Sequence, residues 1–158
     1  MAELPEVILG QLLTDAGMTL AVAESCTGGL IGHRITDVAG SSSYFLGGVV
    51  AYSYGAKERI LKVNHDDLYD YGAVSEEVAR QMADGVRRLF GVDLAVAVTG
   101  IAGPGGGLPG KPVGLVYIAL SARNHLQCEK FVWDGDRVAN KASSADAALR
   151  MLIDYLSA

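Results

Sequence analysis

The run Leu94-Ala95-Val96-Ala97-Val98 constrains this chain more than any other stretch. It is apolar throughout and of strand length, so both faces of the strand it forms must be covered. Thr19-Leu20-Ala21-Val22-Ala23 has the same character. Between and around these runs lie helical spacings: Glu6 to Ala16 closed by Gly17, Leu30 to Val38, a short piece from Ala56 to Val63, and Val78-Met82-Val86-Leu89. Ser75 ahead of Glu76 and Glu77 predicts an N-cap with acids in the first turn of that last helix. Further strands are predicted at Gly48 to Ser53, Val113 to Leu120 and, nearer an edge, Leu126 to Trp133. A final helix starts at Asp136, with Ala145, Leu149, Leu152, Ile153 and Leu156 on its buried face. Helices alternate with buried strands first, and two adjacent strands come after them. The expectation is a three-layer α/β/α sandwich with a mixed, mostly parallel sheet, in one domain over residues 1–158.

Several classes are disfavoured by composition. The net charge of -5, with no basic stripe, argues against a nucleic-acid surface. The acidic start MAELPEVILGQLL is unlike a signal peptide, and no apolar run approaches the ~18 residues that span a bilayer. With two cysteines, Cys26 and Cys128, free thiols and a cytoplasmic setting are expected. His33, His65 and His125 are scattered and lack metal-ligand spacing.

Glycine is clustered, most densely from Gly100 to Gly110. Gly105 to Gly110 fits G-x-G-x-x-G, and Gly105 to Lys111 fits all but the last position of the P-loop pattern. Both patterns need a helix directly after the glycines, and the P-loop also needs a Ser or Thr hydroxyl after its lysine. Here Lys111 is succeeded by Pro112 and then by a β-like run. Gly105 to Lys111 therefore reads as a connector into the next strand. Thr99 to Pro104, leaving the end of a buried strand, is the half expected to line a site.

AESCTGG, residues 23–29, is the stronger candidate for chemistry. Ser25 falls where a strand ends and a helix begins, a place for an exposed hydroxyl with helix amides beside it. The commoner role for Ser25 or Thr27 there is an N-cap, and the local pattern favours it. A nucleophilic serine needs a base, and without a placed histidine a desolvated lysine is the alternative. Lys57 comes after Ala51-Tyr52-Ser53 at the next strand end, although most lysines are solvated. Cys26, with no histidine near, reads as a small buried hydrophobe. Asp66-Asp67 and Glu76-Glu77 are explained by helix starts or turns, and Ser41-Ser42-Ser43 by a turn.

AESCTGG (23–29), ITDVAGSSSYFLGGVVAYSYGAK (35–57), YGAVSEEV (71–78), VTGIAGPGG (98–106), KPVGLVYIA (111–119) and Gly135-Asp136-Arg137 occur in that order. Together, over about residues 5 to 157, they resemble the CinA C-terminal domain family, whose stand-alone members include nicotinamide mononucleotide deamidases. The resemblance implies a cytoplasmic amidohydrolase that takes a small-molecule nucleotide and needs neither metal nor cofactor, with homodimerisation plausible. It implies no nucleic acid or membrane partner and none of the activities of the N-terminal domain of longer members. Carried across by motif, Ser25 is the nucleophile and Lys57 the base. Amides of Thr27-Gly28-Gly29 form the oxyanion hole. Tyr52, Ser42 and Thr99 orient ring and lysine, and the backbone of Gly100, Ala102 and Gly103 with Arg137 holds ribose or phosphate. Two positions depart from the pattern: Lys141 stands near where relatives carry arginine, and Thr99 where many carry serine. The first departure leaves open a different amide substrate, or a non-catalytic module in competence or DNA-damage responses.

Overall fold

The computed structural model describes residues 3–158. Its elements run α1 (Pro5–Ala16), β1 (Leu20–Glu24), α2 (Leu30–Thr36), a 3-10 turn (Ser41–Ser43), β2 (Phe45–Val50), α3 (Tyr54–Leu61), α4 (His65–Asp70), α5 (Glu76–Phe90), β3 (Leu94–Gly100), β4 (Leu115–Ala122), β5 (His125–Val132) and α6 (Arg137–Ser157). The strands form one sheet in the order β2-β1-β3-β4-β5. β1 pairs in parallel with β2 and β3, whereas β4 is antiparallel to β3 and β5. The mixed three-layer expectation is met. β4 alone is reversed against the other strands, although the pairings divide evenly between parallel and antiparallel.

The buried strands hide a second code inside their apolar runs. Side chains alternate across a strand, so Leu20, Val22, Leu94, Val96 and Val98 pack on one face with Leu9, Leu13, Ile31, Ile35, Leu149 and Leu152 from α1, α2 and α6. Ala21, Ala23, Ala95, Ala97 and Ala119 line the other face against Leu61, Val78, Met82 and Val86 from α3 and α5. Large residues set one helical layer at ordinary distance, and alanines let α5 settle close to the sheet. Ser75 caps α5 as expected, its hydroxyl accepting from Val78 N at 3.3 Å, with Glu76 and Glu77 in the first turn. Asp66 and Asp67 likewise sit in the first turn of α4, a helix not anticipated from the sequence, behind an Asn64 cap.

One strand expectation is corrected at both ends. β2 lies three residues earlier than predicted and is an edge, alternately half-buried and exposed, because it has β1 on one side only. The predicted strand from Gly48 continued through Tyr52-Ser53, but Ser53 instead caps α3 by accepting from Ala56 N at 3.0 Å. No helix among the described residues is long and apolar enough to cross a membrane.

From β1 the chain moves through α2 to β2 on one side, then returns through α3 to α5 to place β3 on the other side of β1. The order reverses between β1 and β3. At such a switch point the connections diverge and leave a crevice beyond the strand ends. Ser25 N donates to Val98 O at 3.0 Å across that point.

Candidate active site

Ser25 and Lys57 meet at the switch point. Nζ of Lys57 lies 2.9 Å from Ser25 Oγ, 2.8 Å from Ala51 O and 3.2 Å from Tyr52 O. Lys57 is 2% exposed and Ser25 7%. The three acceptors account for the three hydrogens of an ammonium. When the lysine is neutral, two hydrogens keep the carbonyls and the lone pair can receive the Ser25 hydroxyl. Among the described residues no carboxylate reaches Lys57. Burial therefore dominates and pushes its pKa down to about 8, with only the neighbouring Cys26 acting the other way. The amine is thus neutral in an appreciable fraction of molecules near neutral pH.

The frame that holds this pair is made of backbone. Ala51 N donates to Glu24 O at 2.8 Å, while Ala51 O accepts from the lysine. The lysine returns to Ser25, next to Glu24, and the circuit closes. After Ser25 the chain turns sharply, with Gly28 N donating to Ser25 O at 3.1 Å. Gly28 and Gly29 have φ of 61° and 105°, conformations that a Cβ would strain.

Neither Ser25 nor Thr27 caps α2, so the expected N-cap is corrected. Gly29 is the N-cap residue and has no side-chain cap bond. The capping is done by Glu24, which was not among the residues expected at the site. Its carboxylate accepts from Thr27 Oγ1 at 2.6 Å, Gly29 N at 3.2 Å, Ile31 N at 2.9 Å and Gly32 N at 3.0 Å. The signal was an acid ending an apolar strand just before Gly-Gly. The oxyanion assignment changes with it. Gly28 N is used on Ser25 O and Gly29 N on Glu24. The two central amides of the turn, Cys26 N and Thr27 N, have no acceptor among the described residues.

Other expected site residues scatter. Ser42 is exposed on the 3-10 turn, whose end meets the beginning of β1 through the bond from Leu20 N to Tyr44 O. It lies at the opposite end of the sheet from Ser25, roughly 15 Å away at about 3.3 Å per strand residue. The Tyr52 side chain, 61% exposed, makes no hydrogen bond to the lysine; its hydroxyl accepts from Arg137 Nη2 at 3.1 Å, and its carbonyl accepts from Lys57. The Thr99 hydroxyl is buried and donates to Ala73 O at 2.8 Å, tying β3 to the segment before α5. Gly100 belongs to β3, where β4 comes so close that a Cβ would clash with Val116. The carbonyls of Ala102 and Gly103 are occupied by Asn140 Nδ2 at 3.0 Å and Arg137 Nη1 at 2.8 Å. This half of the glycine loop is a wall braced by α6. Gly105 to Lys111 contains an isolated bridge between Leu108 and Lys111, and Lys111 Nζ bonds Tyr71 O. It is a connector, as expected.

Asn140 was also missed. It is buried, holds Ala102 and receives Gly135 N at 3.0 Å. Its four-residue spacing to Ser144, Ala148 and Leu152, all buried, was legible on the α6 wheel. Arg137 and Lys141, one turn apart at the start of α6, bring positive charge to the site. The Lys141 ammonium lies beside Gly28, 3.6 Å from where a Cβ would stand. A cleft of about 520 Å3 borders the Arg137 clamp, lined by Ala102, Gly103, Pro104, Val113 and residues 135–138. Cys26 is buried, and burial pushes its thiol up to about 11, so it is a small core residue and not a thiolate. The three histidines are all exposed, and no cluster of three His, Cys, Asp or Glu suited to a metal occurs among the described residues.

Fold and site together define an α/β/α domain with a buried serine-lysine pair at the switch point of its sheet. The chain belongs to the CinA C-terminal domain family, which matches residues 2–156. It is 53% identical over 148 residues, 94% of its length, to a CinA-like protein of Citrifermentans bemidjiense. It spans 36% of that relative, about a third. The crystal structure of the competence/damage inducible protein CihA from Agrobacterium tumefaciens superposes with a TM-score of 0.91 at 40% identity, all of each chain being covered. The competence damage-inducible protein A from Klebsiella pneumoniae subsp. pneumoniae superposes with a TM-score of 0.94 at 32% identity, over 98% of both chains.

Proposed function

We propose that this domain is a serine amidohydrolase using Ser25 and Lys57, and that it hydrolyses the carboxamide of nicotinamide mononucleotide to nicotinic acid mononucleotide and ammonia. The observation that carries this reading is the 2.9 Å approach of a buried lysine, free of any carboxylate partner among the described residues, to a serine at a strand end. Burying an amine without a counter-charge costs free energy, and a module that only bound a partner would gain nothing from it. The substrate rests on the six-motif resemblance. It accords with Lys141 beside the nucleophile turn and with Arg137 one helical turn away at the cleft, two cations that suit an anionic nucleotide.

In this reading Ser25 Oγ attacks the carboxamide carbon as its proton passes to neutral Lys57. The N–H groups of Cys26 and Thr27 face the developing oxyanion. Lys57 returns the proton to the departing nitrogen, the C–N bond breaks, and ammonia leaves an ester on Ser25. Water then attacks that ester, Lys57 taking its proton and giving it back to Ser25 Oγ as the carboxylic acid product departs. The test is ammonia release from nicotinamide mononucleotide by purified wild type and Ser25→Ala. Turnover by wild type and loss of at least ~10^3-fold in the variant, with unchanged circular dichroism, is expected. Turnover retained in Ser25→Ala removes Ser25 from the chemistry.

A further inference from the structure

Glu24 stands on the opposite face of β1 from the lysine and forms no hydrogen bond or ion pair with Lys57, yet it touches the nucleophile turn at every level. Its backbone carbonyl receives Ala51 N, and Ala51 in turn positions Lys57. Its carboxylate collects the Thr27 hydroxyl and three amides at the start of α2. At 2% exposure these donors replace water for the charge. Three of the amides that would otherwise leave the start of α2 open to an anion are thereby spent inside the protein.

We propose that Glu24 is a positioning residue for the nucleophile: its carboxylate locks the turn from Ser25 to Gly29 against α2, so that Ser25 Oγ faces Lys57 while the Cys26 and Thr27 amides stay free for the oxyanion. Two independent observations converge on this. The four donors come from both the turn and the helix it must be held against, which a helix cap alone would not require. The amides left without an acceptor are those of the two residues directly after Ser25, inside the span the carboxylate bridges. In Glu24→Gln the retained carbonyl oxygen can still accept from Thr27, Gly29 and Ile31. The new NH2 group meets Gly32 N–H, donor against donor, and the turn must shift. A displacement of about 1 Å at a reacting atom costs about 10^2-fold in rate.

The inference rests on the Ser25-Lys57 reading but not on the identity of the substrate, and the experiment separates them. A fluorophosphonate probe reports the nucleophile directly: a Ser25 Oγ–P bond forms, P–F breaks, fluoride leaves and Lys57 takes the proton. Wild type is expected to be labelled at Ser25, and Glu24→Gln about 10^2-fold more slowly well below its Tm. In turnover, kcat should fall by a similar factor with KM within about threefold, since Glu24 touches no substrate. Thr27→Val, which removes one donor and keeps the carboxylate, should slow labelling about tenfold and serves if Glu24→Gln does not fold. Folded Glu24→Gln or Thr27→Val labelled at the wild-type rate would overturn the proposal, because a purely stabilising role predicts that result. Wild type that resists the probe at Ser25 would overturn the dyad and the proposal with it. Labelling as expected but no ammonia from nicotinamide mononucleotide would uphold Glu24 and move only the substrate.

Discussion

Glu24 and Lys57 are the two most deeply buried charged side chains flanking Ser25, each 2% exposed, and they are treated in opposite ways. Glu24 is surrounded by donors, one hydroxyl and three amides, so its charge is compensated and its geometry fixed. Lys57 has two neutral carbonyls and the Ser25 hydroxyl, and no carboxylate among the described residues. Compensation makes a buried ion a fastener. Withholding a counter-charge fits it for the proposed role of base, because burial then lowers its pKa into the working range.

That contrast can be broken first at the lysine. Lys57→Met keeps much of the side-chain shape and removes the lone pair, and deamidation should fall ~10^3-fold or more in a steady-state ammonia assay. Its effect on stability should have the opposite sign. The folded lysine releases its proton near pH 8 and the unfolded one near 10.5, so at neutral pH holding the ammonium inside costs on the order of 3 kcal/mol. Below pH 8 the variant should therefore be the more stable protein by urea denaturation. The advantage should shrink from pH 8 upward and vanish above about 10.5. A variant destabilised at pH 7 would mean that the ammonium is welcome in its site.

The same shift predicts a pH profile. With Lys57 as the base, kcat/KM should rise about tenfold per pH unit from acid pH and level off above about 8. A flat profile through that range would separate the lysine from the rate-limiting proton transfer. At the mouth, Arg137→Ala loses the clamp on Gly103 O and the Tyr52 hydroxyl. It should raise KM by about tenfold or more with a smaller change in kcat, as expected for a residue that binds rather than reacts.

The smallest effect sharpens the comparison from a third side. Tyr44 is buried with a hydroxyl that finds no partner among the described residues, pressed near Gly10. It is neither compensated like Glu24 nor useful like Lys57, and it lies at the far end of β1. Tyr44→Phe should leave activity unchanged and be neutral or stabilising by up to ~1 kcal/mol in thermal or denaturant unfolding.

Much of the layer structure was legible in the chain. Leu94 to Val98 announced a strand covered on both faces, and Ser75-Glu76-Glu77 announced the start of α5, because period and capping are local properties. The two glycine-rich stretches show where local reading fails. Gly105 to Lys111 carries phosphate-binding spacing and is a connector, since it leads into strand β4 and not into a helix. AESCTGG looked like a helix cap, yet the helix behind it is capped by Glu24 and Ser25 is left for Lys57. Ser42 was grouped with the site by motif, but it belongs to the opposite end of the sheet.

The sequence by itself determined the elements, the large-small alternation that gives each face of the sheet its own helical layer, and the candidate pair Ser25 and Lys57. The tertiary structure decided which end of each strand carries the chemistry and which buried charge is compensated. Ser25 and Lys57 are 32 residues apart. Their meeting depends on the reversal of strand order between β1 and β3 and on a carbonyl of Ala51 that any residue could have supplied. A backbone acceptor leaves no mark on residue type, and neither does the burial of a residue that is usually solvated. A lysine's charge state is therefore settled only when the fold removes water from around it.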